Sequence, residues 1–209
     1  MKKLLIAAAI LLAATFSLNA QDGGSGAVDF TSFGGKVESG NIIVDAGIAL
    51  DTGFIGTLGY YIPRVSVSGE YALQCGPAPL SFGLEIAYMG SRSQYFYTTA
   101  GATGNRVMDT HNNLFFNLIV NYHINILAVD NLDVYAGPRL GLRLDIVNHT
   151  DHHYDPAIGG YIDNTTVNTL PLFDAGGVIG ATWYFSDSFG VNAEVGFPVF
   201  LRGGVTFKF

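Results

Sequence analysis

Apolar residues alternate with small or polar ones in eight separate stretches of this chain. In NIIVDAGIALD (41–51), Val44, Ala46, Ile48 and Leu50 share one side, with Asp45, Gly47 and Ala49 on the other. RVSVSGEYALQ (64–74) sets Val65, Val67, Tyr71 and Leu73 against Ser66, Ser68 and Glu70. LSFGLEIAYM (80–89) sets Leu80, Phe82, Leu84, Ile86 and Tyr88 against Ser81, Gly83 and Glu85. NLFFNLIVNYH (113–123) repeats the rule with Phe116, Leu118, Val120 and Tyr122 opposite Asn117, Asn121 and His123. LDVYAGPRLGLRLD (132–145) places Val134, Leu140, Leu142 and Leu144 against Asp133, Arg139, Gly141, Arg143 and Asp145. LFDAGGVIGATWYF (172–185) and GVNAEVGF (190–197) follow, with Asp174, Gly180, Thr182, Asn192 and Glu194 on their polar sides. The last stretch, 200–209, alternates to its final residue: Phe209, Phe207 and Val205 face one way, Lys208, Thr206 and Gly204 the other. A period of two predicts strands with two unlike faces.

Composition decides what those faces meet. Hydrophobic residues are 49% and charged ones 13%, and mean hydropathy is +0.32. That is a membrane protein's composition. Yet after residue 20 no stretch approaches the ~20 apolar residues of a spanning helix. Only helices and closed barrels satisfy every backbone polar group inside a bilayer. The reading is therefore all-β: an eight-stranded antiparallel up-and-down transmembrane β-barrel, apolar face to lipid and polar face to the lumen. A soluble lipocalin-like barrel would carry the reverse polarity. The opening MKKLLIAAAILLAATFSLNA (1–20) has a basic start and an apolar run too short to span, and reads as a signal peptide. Residues 21–40 read as a periplasmic leader and 41–209 as the barrel.

The connections alternate in length. QCGPAPL (74–80), INILAVDN (124–131) and SDS (186–188) are short, as periplasmic turns are. Residues 51–63, 90–112 and 146–171 are long and read as outer loops, and the connection around 198–201 is a tight exception. Both ends of the barrel then lie on the periplasmic side.

GNIIVDAGIAL, YH followed by LDVYAGPRLGL, AEVGF and the terminal GGVTFKF together resemble the small outer-membrane β-barrel domains of the OmpA/OmpX-like type. The resemblance covers about residues 37–209. It implies residence in the outer membrane of a Gram-negative bacterium, among outer-membrane lipid and lipopolysaccharide. It also implies handling by periplasmic chaperones and the outer-membrane assembly machinery, with the aromatic Phe209 as the signal that machinery reads. It implies no defined chemistry. A structural or surface-interaction role through the outer loops is the expectation, with a narrow gated channel or a lipid-modifying enzyme as the alternatives. The extracellular partner is not legible.

Candidate chemistry changes this picture little. An eight-stranded barrel is just wide enough for side chains to fill. Asp45, Glu70, Glu85, Asp174 and Glu194 face Arg64, Arg139, Arg143, Arg202 and Lys208, and the expectation is a paired polar core. In NHTDHHYD (148–155), His149, His152 and His153 are weak candidates for a metal, because a flexible outer loop does not preform a site. His111 with Asp109, or His123, could act as a base, but no nucleophile motif accompanies them, so no catalysis and no cofactor are expected. The chain carries −7 formally. Without Lys2 and Lys3, 8 basic residues face 17 acidic ones, or −9, which excludes nucleic acid as a partner. The single Cys75 has no partner for a disulfide.

Overall fold

The computed structural model describes residues 36–51, 59–75, 78–99, 102–124, 129 and 131–209. The signal peptide (1–20) and most of the leader (21–40) lie outside the described residues. Eight strands follow one another: β1 (Ile42–Asp51), β2 (Gly59–Cys75), β3 (Ala78–Thr99), β4 (Ala102–Ile124), β5 (Leu132–Asp155), β6 (Gly160–Tyr184), β7 (Phe189–Phe197) and β8 (Val199–Lys208). Each pairs antiparallel with the next, and β8 pairs with β1, so the sheet is a closed barrel. Closure runs to the end of the strand. The backbone of Phe209 exchanges two hydrogen bonds with that of Ile42, both 2.9 Å. Among the described residues no helix is long and apolar enough to cross a membrane.

The polarity is that of a transmembrane barrel. Outward residues stay exposed: Ile48 60%, Leu84 63%, Leu118 61% and Ile179 61%. Their inward neighbours are buried, among them Asp45, Glu85, Asn117 and Thr182. A soluble protein could not leave such a wall to water, because each exposed leucine or isoleucine forfeits ~1.5–3 kcal/mol of burial. In a bilayer the same wall is solvated by lipid tails. At the inner end the outward aromatics meet: Phe185, Phe189 and Phe207 lie in a chain of ring contacts 6.2 and 5.3 Å apart.

Strand lengths divide the barrel in two. β7, β8 and β1 have 9, 10 and 10 residues, which is what a tilted strand needs to cross. β3, β4, β5 and β6 have 22, 23, 24 and 25. The surplus is about 11–14 residues per strand, or roughly 35–45 Å of chain. This corrects the expected loops at 90–112 and 146–171. They are hairpins that continue β3–β4 and β5–β6 in unbroken pairing, apart from one register shift near the β3–β4 tip. The turn of the second is only 156–159. Residues 64–65 were likewise not the start of β2, which begins at Gly59. The physical reason is that strand alternation needs unlike solvents on the two faces, and beyond the bilayer both faces meet water.

Candidate functional site

The lumen is filled by buried polar side chains that bond to one another in clusters. Near its middle, Glu85 accepts hydrogen bonds from Arg64 and Arg139, and Asn117 Nδ2 adds a third at 3.2 Å. Glu194 Oε1 accepts from Arg139 Nη2 at 2.7 Å and from Tyr135 at 2.9 Å, and Arg202 Nη1 lies 3.1 Å away. Arg64 stacks over Phe115, 4.1 Å from its centroid. All of these side chains are buried. Two glycines make the room: a Cβ on Gly180 would lie 2.5–2.7 Å from the Tyr135 ring, and one on Gly47 2.7 Å from Arg202 Nε. Two Arg–Glu–Arg bridges across the bore leave no charge isolated there, which is the condition for burying them.

The remaining expected lumen residues behave differently. Asp45 and Glu70 are buried but meet amides and hydroxyls: Asp45 accepts from Asn192 and Thr206, Glu70 from Ser81 and Asn121. Asp174 is half-buried and accepts from Asn117 Nδ2 at 3.2 Å. Arg143 is half-buried and, among the described residues, is in no ion pair, with its Nε left without a hydrogen-bond partner. It sits where β5 leaves the closed part of the barrel. Lys208 donates to the carbonyl of Lys36 and lies 5.2 Å over the Tyr184 ring.

One constellation was missed. At the inner end, Ser81 Oγ is 2.9 Å from His123 Nε2, and His123 Nδ1 is 2.8 Å from Asp133 Oδ2. The order is that of a serine hydrolase triad. Burial argues against that use. Ser81 is 0% exposed, and its oxygen also bonds to Glu70. The group locks β3, β4 and β5 together in the bore. Sequence alone held the signal only as three inward residues on separate strands. Their meeting depends on register.

The projecting sheet has two faces. The face continuous with the lumen carries aspartates and histidines in pairs: His149 Nδ1 to Asp109 at 2.6 Å, His111 Nδ1 to Asp145 at 3.2 Å, His153 Nδ1 3.3 Å from Asp151, and Tyr97 to Asp151 at 2.7 Å. The Tyr97 phenol is raised above its ordinary value, chiefly by that bond. The other face carries His152, which bonds Asp163 at 2.5 Å and stacks on Tyr161, their ring centroids 4.8 Å apart. This corrects two sequence readings. His111 is partnered by Asp145, because register sets Asp109 opposite His149. The stretch 148–155 is strand, not flexible loop, and alternation puts His149 and His153 on one face and His152 on the other. Among the described residues no three His, Cys, Asp or Glu are grouped to hold a metal. Each of the chain's five histidines is set against an aspartate instead.

The sheet ends in an open edge. β6 pairs with β5 along its whole length, but with β7 only from Gly177 inward. Residues 162–176 of β6 therefore have no strand on their second side among the described residues. From 164 to 173 this edge is NTTVNTLPLF, ten residues without a charge. Nearly all are exposed, with Val167 at 61% and Phe173 at 74%.

No family model matches the chain, and no curated protein sequence matches it. Solved structures of similar shape include a de novo designed transmembrane β-barrel, at 11% identity and TM-score 0.45 over 83% of this chain and 98% of that one. The N-terminal β-barrel domain of Pseudomonas aeruginosa OprF is similar at 14% identity and TM-score 0.45, over 82% and 98%. Ail, the attachment invasion locus protein of Yersinia pestis, solved with the heparin analogue sucrose octasulfate, is similar at 10% identity and TM-score 0.39, over 82% and 100%. The fold assignment rests on this chain's own strand pairing.

Proposed function

We infer that this protein is an integral outer-membrane protein of a Gram-negative bacterium that acts at the cell surface. The projecting sheet is its working part and the barrel is its anchor. The observation that carries the reading is the open edge at 162–176. Natural sheets protect exposed edges with charges, bulges or covering segments, because free N–H and C=O groups recruit strands. Here Asp163 and Asp174 stand only near its two ends, and the ten residues between them carry no charge and a single interruption, Pro171. Such an edge suits a partner that adds an extended segment to the sheet, with main-chain hydrogen bonds for affinity.

On this reading the lumen performs no chemistry and passes no ions at rest. Its bore is crossed by the paired arginines and glutamates, and Ser81 is sealed. Phe209 serves as the assembly signal. One experiment tests the surface role. Residues 92–110 and 147–169 are each replaced by a short turn, which leaves the closed barrel intact. Loss of adhesion or partner capture by intact cells, with unchanged resistance to detergent and bile, supports the surface role. Unchanged binding with a leaky membrane assigns the protein to envelope structure. Planar-bilayer conductance and labelling of Ser81 by a fluorophosphonate are both expected to be negative. Either positive would revive the channel or the enzyme.

A further inference from the structure

Ahead of β1 the chain does not run straight out of the barrel. It turns back across the inner mouth of the bore. Asn41 still extends the β1–β2 ladder: the Ala72 amide donates to its carbonyl at 2.9 Å, and the Gly40 amide donates to the Ala72 carbonyl at 2.8 Å. There the ladder ends. Gly40 takes a φ of +96°, a conformation that favours glycine. The turn is closed by the Asn41 amide on the Glu38 carbonyl at 3.1 Å and by the Glu38 amide on Asn41 Oδ1 at 2.8 Å. Ser39 Oγ accepts from the Gln74 amide at 3.1 Å and ties the turn to β2.

This turn carries Val37 into the bore. Val37 is buried in one apolar cluster with Ile43 of β1 and Ala72 of β2. The residue before it reaches past β1 to the other side. Lys36 Nζ pairs with Asp187 of the β6–β7 turn at 2.8 Å, and the Lys36 carbonyl accepts from Lys208 of β8. Residues 36–41 are thus fixed to β2 at one end and to β8 and the β6–β7 turn at the other. One apolar side chain is pressed into the mouth between them.

Behind Val37 lies the innermost polar cluster. Ala72 stands opposite Ser81 in the β2–β3 register. Ser81 bonds Glu70 and His123, and His123 bonds Asp133. None of these four is more than 6% exposed. Yet Asp133 Oδ1 is buried without a hydrogen-bond partner. A buried acceptor without a donor is costly, and water admitted through the mouth would relieve that cost.

We propose that residues 36–41 are a hinged lid on the inner mouth. Closed, it seals the cluster behind Val37. Open, it makes the inner part of the bore a blind chamber, which water and small cations enter toward Glu70 and Asp133. The chamber ends at the bridge of Arg64, Glu85 and Arg139. Little holds the lid shut. Its ion pair is exposed, with the Asp187 side chain 98% accessible, and such pairs contribute little. Burial of Val37 is the main closing force, and a segment held by so few buried contacts opens without unfolding the rest. Gly40 is the hinge. The lid does not depend on what the projecting sheet binds.

The test uses the full mature chain with the exposed native thiol removed by Cys75→Ser. Ser81→Cys then places a reporter behind the lid. The protein is refolded in detergent micelles, and labelling at position 81 by a trimethylammonium methanethiosulfonate is timed. Labelling should be slow with the native lid. Val37→Asp removes the apolar contact. Gly40→Val strains the hinge without a clash, because a Cβ there meets nothing within 4 Å. Each should speed labelling by about tenfold or more. A second reporter, Asn113→Cys, replaces a buried inward residue opposite Met89, on the outer side of the bridge. Its labelling should not change with either lid variant. Equal rates at position 81 with native and altered lids overturn the proposal. A rise at both positions also overturns it, since the barrel would then be loosened as a whole. Should Val37→Asp fail to fold, Gly40→Val decides alone, because Gly40 is exposed and lies outside β1.

Discussion

The two halves of this barrel use the same residue types to different ends. Inside the bilayer, polar residues are sealed and matched: Glu85, at 1% exposure, holds Arg64 and Arg139 across the bore. In the projecting sheet the same pairing occurs in the open. There, His149 and Asp109 have side chains 43% and 26% exposed. The first arrangement is enforced by low dielectric, where an unmatched charge is very costly. The second is screened by water and salt and contributes little to stability. Selection on the embedded half is therefore selection for folding, and the projecting half is free to be selected for what it touches.

That contrast is broken or kept by matched substitutions. Glu85→Gln leaves two buried guanidinium groups short of their carboxylate and should cost about 3–5 kcal/mol, as loss of one partner of a buried pair does. Asp151→Asn, in the projecting sheet beside Tyr97 and His153, should cost less than about 1 kcal/mol. Reversible urea unfolding from lipid vesicles reads both. Similar costs would mean that the outer pairs are as structural as the inner ones.

The apolar face gives the next comparison. Leu84→Arg, at 63% exposure on the lipid-facing wall, should cost ~2–4 kcal/mol. Val167→Arg has almost the same exposure, 61%, and lies on the same face beyond the membrane. It should change stability by no more than about 0.5 kcal/mol. Equal costs would move the membrane boundary outward along β6.

These comparisons also explain what the sequence could and could not disclose. Lipid on one side and a polar bore on the other impose a period of two, and that is why Leu84/Glu85 and Val195/Glu194 were readable as outward and inward. QYFYTT (94–99) and NTTVNT (164–169) have water on both faces. Nothing forces their residues to alternate, so strands there resembled loops. Partner choice was hidden for another reason. The carboxylate nearest His111 in sequence is Asp109, but pairing across β4 and β5 delivers Asp145. The triad-like Ser81, His123 and Asp133 come from three strands and needed the same information. Arg143, expected in the lumen network, is in no ion pair among the described residues, because it lies beyond the closed section.

Phe209 tests whether closure and assembly are separate demands on the embedded half. Its side chain is 71% exposed and its backbone completes the ladder to Ile42. Deleting it removes two hydrogen bonds, worth about 1–3 kcal/mol together. A barrel refolded in detergent should still resist protease. If the residue is an assembly signal, membrane-inserted protein in cells should nevertheless fall several-fold, with protease-sensitive chain left in the periplasm. Unchanged insertion would make Phe209 one more aromatic of the inner girdle.

The smallest effect probes the projecting sheet alone. Tyr97 donates to Asp151 at 2.7 Å, and that bond to a carboxylate raises the phenol above its usual range. A group whose folded value is raised favours its protonated form in the fold. Its contribution is complete below the unfolded value of about 10 and is lost as pH rises through the folded one. Alkaline titration of phenolate absorbance, as the difference between wild type and Tyr97→Phe, isolates this one tyrosine. Its phenolate should appear later than that of a tyrosine in the unfolded chain. Asp151→Asn should return it toward the ordinary value. Since Tyr97 and Asp151 stand on β3 and β5 with β4 between them, their bond spans three strands and reports on the sheet's own curvature. A Tyr97 that titrates normally in wild type would mean that the two strands part in solution, and that the projecting sheet lacks the shape described here even while the barrel beneath it is intact.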